Sequence, residues 1–245
     1  MASQDLTSSV ELVYRRTRRA ILTGDYPPGL ALRLQELADR SGVSMIPVRE
    51  ALRLLESEGF VDLIPNRGAR VALLSMEDML DVYRTRIVLE VEALRQAAPR
   101  ITAPMLAKAR RLNDKIVKQF LIKGYAEYDD HRAFHFALYE PSESKWLIKL
   151  IGIVWDHTER YRRQGASLVT AADTREQHDL ILTRLGERDF EGAVQALIDH
   201  LDDSATRFRT AFEQNPALFH AAKAKPAEAD LAIASVAQAG LTGKS

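Results

Sequence analysis

No cysteine occurs in the 245 residues, which excludes disulfides, thiolate metal ligands and thiol nucleophiles at once. No stretch approaches the roughly 20 apolar residues of a membrane span. Arg15 to Arg19 interrupt the first amphipathic segment, which argues against a signal peptide. These absences fit a cytoplasmic protein with no membrane partner. A net charge is missing too: 34 Lys and Arg balance 34 Asp and Glu, for a formal value of +0. Many nucleic-acid-binding proteins are basic overall, so any positive field here must be local, from Arg49, Arg53, Arg67, Arg70 and the Arg15–Arg19 cluster. The length accommodates two modest domains.

Residues 42–55 carry the most information. Gly42 suits the left-handed end of a preceding helix, and Ser44 is placed to cap the next one. Pro47 falls in that helix's first turn, where a missing N–H breaks no intrahelical bond. Val48, Ala51, Leu52 and Leu55 share one face. Arg49 and Arg53 lie on another, with Met45 and Ile46 at the tip. An apolar inner face with outward arginines fits a recognition helix entering a major groove; an ordinary amphipathic helix with solvated arginines has the same pattern.

The flanking sequence separates the two readings. A first helix over Leu6–Thr23, with Val10, Val13, Thr17, Ala20 and Ile21 inward, is followed by Pro27-Pro28-Gly29, a rigid turn. Leu34–Arg40 forms a short helix with Leu37 and Ala38 inward. After the recognition helix, an extended run from Gly59-Phe60-Val61, a turn at Pro65-Asn66-Arg67-Gly68 and a strand over Ala69–Leu74 make a two-stranded wing. The order Gly24…Pro28-Gly29…Leu37-Ala38…Gly42-Val43-Ser44…Pro47-Val48-Arg49-Glu50-Ala51-Leu52…Glu58-Gly59…Arg67-Gly68 closely resembles the GntR family of bacterial transcription regulators. The resemblance covers about the first third of the chain and implies binding to a double-stranded DNA operator. Arg49 is the expected principal reader, with Gln35, Ser44, Met45, Arg53, Arg67 and Gly68 beside it. The family commonly has arginine where this chain has Met45, so the base read there should differ. One recognition helix reads a short half-site, so a homodimer on a pseudo-palindrome is expected. Arg15 or Arg19 could touch phosphate, or belong to a solvated face.

The fold expected is mainly α: a winged helix-turn-helix over 1–74, an antiparallel all-helical bundle over 75–213 and a mobile tail over 214–245. Ser75 can cap the bundle's first helix, with Asp78 completing a variant capping box. Helices follow over Met76–Ala98, Ala103–Lys123, Ala126–Tyr139, Lys145–Arg163, Ala172–Glu187 and Phe190–Phe212, with turns at Ile101-Thr102, Gly124, Pro141-Ser142, Gly165 and Gly186–Asp189. Pro216–Ser245 is Ala-rich and poorly patterned, with room for one helical turn near Leu231.

Four histidines stand out in the bundle. His131 and His135 are one turn apart and share a helix face. His178 and His200 lie about ten and twelve residues either side of the Gly186–Asp189 turn, so at about 1.5 Å per residue an antiparallel hairpin brings them level. Facing helices build metal sites in this way. Imidazoles suit a divalent transition metal, zinc first and nickel or another as alternatives, better than calcium or magnesium. His157 and His220 match nothing and are read as surface.

His131-Arg132-Ala133-Phe134-His135, Gln177-His178 and Gly186…Asp189…Ala193…His200 resemble the ligand-binding FCD domain of FadR-type GntR regulators. Metal-binding members place one aspartate and three histidines at this spacing. The resemblance assigns His135, His178 and His200 to the histidines and puts His131 in the aspartate position, a departure. Asp129 and Asp130 lie about 100° and more around the helix from it. An all-imidazole set would leave the cation attractive to a small anionic effector. Arg86 matches an arginine that faces the effector pocket in this branch and would grip a carboxylate in paired hydrogen bonds; its other reading is an intrahelical pair with Glu90. Trp146, Trp155 and Tyr161 could line that pocket or be plain core.

Two functions follow from these readings: a transcription regulator, a repressor in the first instance, with a metal- and carboxylate-sensing bundle, or a metal-dependent enzyme fused to a winged helix. Hydrolytic sites commonly place a general base inside the motif, as in His-Glu-x-x-His. His131-Arg132-Ala133-Phe134-His135 has none, and Glu127 and Glu176 have no assigned role, which favours the sensor.

Overall fold

Pro47, Val48, Ala51, Leu52 and Leu55 are all buried along helix α3, Met45–Ser57, as their spacing requires. The computed structural model describes residues 2–64, 68–164 and 169–214, and the chain divides into two units at Leu74 and Ser75. In the first, α1 (Ala2–Thr23) and α2 (Leu34–Ser41) join α3. Val13, Thr17, Ile21, Leu37 and Ala38 are buried, while Val10 and Ala20 are only half-buried. Gly42 ends α2 at φ 66°, its N–H reaching the carbonyls of Ala38 and Asp39. Ser44 has the extended backbone of an N-cap, but its hydroxyl makes no capping bond.

The wing has three strands, not two: β1 (Ala31–Leu32), β2 (Val61–Ile64) and β3 (Gly68–Val71), antiparallel in the order β1-β3-β2. Leu32 pairs with Ala69, which in turn faces Leu63 on the other side. A two-residue strand is too short to show alternation in sequence. Gly68 is fixed by this geometry, because its φ is +92° and a Cβ would sit 3.3 Å from the Leu32 carbonyl oxygen.

The second unit is all helix: α4 (Met76–Ala97), α5 (Ala103–Lys123), α6 (Tyr128–Tyr139), α7 (Lys145–Gln164), α8 (Ala171–Gly186) and α9 (Phe190–Gln214), with 3-10 turns at Ala98–Arg100 and Glu140–Ser142. The Ser75 hydroxyl accepts the Asp78 N–H at 3.1 Å. Asp78 does not return the bond; its carboxylate accepts the Tyr161 hydroxyl instead. A full capping box forms at Thr170 and Asp173, so α8 starts one residue before the expected Ala172. Asp189 holds the Gly192 N–H at 3.0 Å at the start of α9, and Arg188 takes the left-handed conformation of the turn. The core includes Leu94, Ile116, Phe134, Ile151, Ile181 and Leu197, each 0 % exposed; burying side chains of this size contributes roughly 1.5–3 kcal/mol apiece. That apolar majority offsets an unusual buried polar set: Arg86, Glu90, Asn113, His135, Glu159, Arg162, His178 and His200. No helix among the described residues is long and apolar enough to cross a membrane. The expected turn at Gly165 and the tail beyond Gln214, with His220 and the turn near Leu231, lie outside the described residues.

Candidate metal centre and nucleic-acid interface

On the first unit, Arg49 is exposed on α3, and among the described residues it has neither an ion pair nor a hydrogen bond. Its neighbours are partly committed. Arg53 reaches Glu50 at 2.9 Å, the Gln35 amide donates to Asp39 at 2.8 Å, and Arg70 pairs with Asp62 across the wing at 3.0 Å. The tip of α3 is apolar, with Met45 42 % and Ile46 62 % exposed. Arg49, Arg53 and Gly68 border a groove between α3 and the wing, floored by Leu52 and Leu63. Arg67 lies outside the described residues. The basic cluster on α1 is mostly engaged within the unit: Arg15 with Glu11, Arg18 with Glu58 at 3.4 Å and Arg16 with the Arg40 carbonyl at 3.3 Å.

On the second unit, α6, α8 and α9 bring the four histidines together. Ring centroids are 4.9 Å apart for His131–His135, 5.2 Å for His135–His178 and 4.9 Å for His178–His200. His131, His135 and His178 can each offer a nitrogen within 4.8 Å of the other two. Two nitrogens bound at 2.0–2.1 Å to one tetrahedral ion are about 3.3–3.4 Å apart, so the rings would have to draw inward to hold one. His200 lies outside that trio, although its ring stacks 5.3 Å from His135. Asp130 is turned away, bound to Lys115 at 2.8 Å and Gln119 at 2.5 Å.

The surroundings of three rings fix which nitrogen carries the proton. Tyr139 donates its hydroxyl proton to Glu90 at 2.6 Å, so its oxygen can only accept from His135 Nδ1, 3.3 Å away. The Asn113 amide nitrogen donates to Asp179 at 2.9 Å, which turns its oxygen to His178 Nδ1 at 2.9 Å. Gln177 repeats the device, with its nitrogen on Asp203 at 2.7 Å and its oxygen on His200 Nδ1 at 2.8 Å. Each Nδ1 is therefore the N–H, and each Nε2 keeps a lone pair. Carboxylate-backed partners of this kind orient metal-ligating histidines. His135 Nε2, His178 Nε2 and His131 Nδ1 are enclosed with no hydrogen-bond partner, an arrangement costing about 1–3 kcal/mol per group unless something binds there.

Burial first, then Arg162 at His131 and the disfavoured charging of neighbouring imidazoles at His135 and His178, holds these three rings well below their usual pKa. His200 is pushed down to about 4, by burial first and Arg86 second, against the opposing pull of Asp203. The four rings are neutral at pH 7, the form that ligates a metal.

Beside the histidines is a cavity with about 50 Å³ for the centres of water-sized groups; its walls include Arg86, His131, Trp155, His178 and His200. Arg86 is 4 % exposed. Its Nε donates to Glu90 at 2.6 Å, the intrahelical pair that is one of its two readings, and its guanidinium lies over the Trp155 ring at 4.6 Å in the cavity wall. Burial lowers the Arg86 pKa but Glu90 more than compensates, so the net direction is upward. Of the three aromatics, Trp155 lines the cavity, Tyr161 is buried outside its wall and Trp146 is 69 % exposed. His157 is half-buried rather than on the surface. Sequence reasoning missed Glu90's link to His135, Asn113, Asp203 and the Glu159–Arg162 ion pair at 2.6 Å, which also borders the cavity.

Comparison with known proteins accords with this division. Residues 10–71 match the model of the gntR family of bacterial regulatory proteins, and residues 81–203 match the FCD domain. The chain is 30% identical to the HTH-type transcriptional regulator BphR of Paraburkholderia xenovorans over 84% of its own length and 87% of that protein's. It is 29% identical to the HTH-type transcriptional repressor GlaR of Escherichia coli, covering 77% of this chain and 90% of the relative. The solved structure of E. coli McbR/YncC superposes with a TM-score of 0.71 at 25% identity, covering 83% of this chain and 98% of that one. These relatives are named as transcription regulators. The chain therefore belongs to the GntR family of DNA-binding transcription regulators, in the FadR-like branch whose second domain is FCD.

Proposed function

We propose that the helical unit is the sensor of this regulator, holding one divalent transition-metal ion on His131, His135, His178 and His200 and admitting a small carboxylate beside it. The observation that carries this reading is the set of three enclosed imidazole nitrogens without partners. Two of them belong to rings whose opposite nitrogen is clamped by an acceptor. Nitrogen donors favour zinc, nickel, copper or iron over calcium and magnesium. A metal bound here would act as a Lewis acid for the carboxylate. Four neutral ligands would leave its charge uncancelled, unlike a set containing aspartate, and His131 is the residue that makes this difference. Arg86 would supply a second positive contact from the cavity wall while Glu90 keeps its Nε in place.

The first unit would read DNA with Arg49 as principal base contact and Gln35, Ser44, Met45, Arg53, Arg67 and Gly68 around it. A homodimer on a pseudo-palindrome would double the half-site. Repression is the direction favoured by the GlaR relative, named a repressor. Carboxylate binding must prefer one arrangement of the dimer; moving its population from 1:99 to 99:1 needs about 5.5 kcal/mol of differential affinity. Operator affinity of the zinc-loaded protein, measured with and without a panel of small carboxylates, tests the reading. At least one carboxylate should change the affinity, and the change should vanish when zinc is removed. No response to any carboxylate, or an equal response without metal, would overturn it.

A further inference from the structure

Trp155 is 2 % exposed, and its indole Nε1–H is enclosed without a hydrogen-bond partner. The residue lines the same cavity as Arg86 and His131. Its ring is 5.1 Å from His131, 4.9 Å from His135 and 4.6 Å beneath the Arg86 guanidinium. The unmet groups around it are of two opposite kinds. The imidazole nitrogens lack a Lewis acid, which a cation supplies. The indole N–H can only donate, so a cation cannot satisfy it, and Arg86 is itself only a donor. What remains missing is an acceptor oxygen.

We propose that Trp155 Nε1–H is a direct hydrogen-bond donor to the anion in this cavity, so that the anion is gripped by Arg86 and by the indole as well as by the metal. This rests on the metal-and-carboxylate reading above and adds its specificity-determining contact. The cavity is small, with about 50 Å³ for the centres of water-sized groups, which suits a small carboxylate. A donor already enclosed, and unpaired until the anion arrives, rewards an oxygen acceptor and penalises an apolar isostere, because the latter leaves the N–H buried and unsatisfied.

Acetate and oxalate are the probes, titrated into zinc-loaded full-length protein by calorimetry. Trp155→Phe keeps an aromatic face for Arg86 and the histidines and removes the N–H. It should bind zinc within about threefold of wild type, while affinity for the carboxylate that wild type binds falls about tenfold or more, as for a lost hydrogen bond to a charged group. Unchanged carboxylate affinity overturns the proposal. A second measurement leaves residue 155 intact. The chain has 2 tryptophans, so in Trp146→Phe the one indole N–H resonance in a 15N spectrum is that of Trp155. That resonance should move downfield on saturation with the carboxylate, and a stationary resonance counts against the proposal whatever Trp155→Phe does. If zinc-loaded wild type binds neither probe, the carboxylate reading itself fails and takes this inference with it. Carboxylate binding that survives with Trp155 silent refutes the indole contact alone.

Discussion

The two units differ in where they place their most restrained charges. In the winged unit the Arg53–Glu50 pair faces solvent, its side chains 65% and 48% exposed and its partners three residues apart. The bundle has exposed pairs as well, Arg184–Glu187 among them, but it also buries some. In the bundle, Arg86 and Glu90 are 5% and 0% exposed, and Glu90 is also bound by Tyr139, 49 residues away in sequence. A surface that meets a charged polymer needs accessible, mobile cations, because phosphate and base contacts form by exchange with water and counterions. A cavity for a small ligand needs groups fixed beforehand, and buried polar groups are fixed only when each is matched. The same residue types are therefore worth different amounts in the two places.

Breaking the buried network should have the largest effect. Glu90→Ala leaves the Arg86 guanidinium enclosed without its carboxylate and frees the Tyr139 hydroxyl; removing one partner of a buried pair costs about 3–5 kcal/mol. Denaturant unfolding should show the bundle's transition shifted by that amount, and a loss under 1 kcal/mol would mean that water replaces the carboxylate. Next comes Arg49→Ala, expected to remove roughly 1–3 kcal/mol of base discrimination with the fold intact. Competition between operator and non-specific duplex measures it, and an unchanged ratio would exclude Arg49 as a reader.

Acid should separate the units further. The four imidazoles have folded pKa values below the usual 6.5, with His200 at about 4. Unfolding releases them to take up protons below about pH 6.5, so their contribution is present above that pH and is lost as pH falls toward the folded values. Each proton gained on unfolding adds about 1.4 kcal/mol per pH unit to the slope. Residues 1–74 contain no histidine, so this loss should appear in the metal-stripped bundle. Equal slopes for both units between pH 6.5 and 5 would contradict it. The smallest effect belongs to Arg53→Ala, which removes an exposed pair worth about 0.5 kcal/mol or less. Thermal unfolding should barely register it.

The winged unit was legible in sequence because its signals are local. Gly42, Pro47 and the Val48–Leu55 spacing each act within a few residues, and α3 follows from them; the two-residue β1 left no pattern to read. The bundle's helices were equally local, and the start of α8 was written in Thr170-x-x-Asp173. The centre was half legible. One helical turn relates His131 to His135 and one hairpin relates His178 to His200, so spacing brought them near one another. Asn113 at 65 residues from His178 and Glu90 at 49 from Tyr139 meet through the packing of α4, α5, α6 and α8, which no spacing encodes. Trp155 was one of several aromatics at helical positions, and its importance lies in an N–H without a partner, visible only when its surroundings are known.

The central claim, that the bundle's imidazoles wait for a metal, is met most directly by elemental analysis of chelator-stripped protein after exposure to zinc and removal of the excess. Wild type should retain about one ion per chain, and His135→Ala combined with His178→Ala should retain none while still binding operator DNA. Zinc-free wild type after loading, or a double variant that holds zinc as wild type does, would contradict the account.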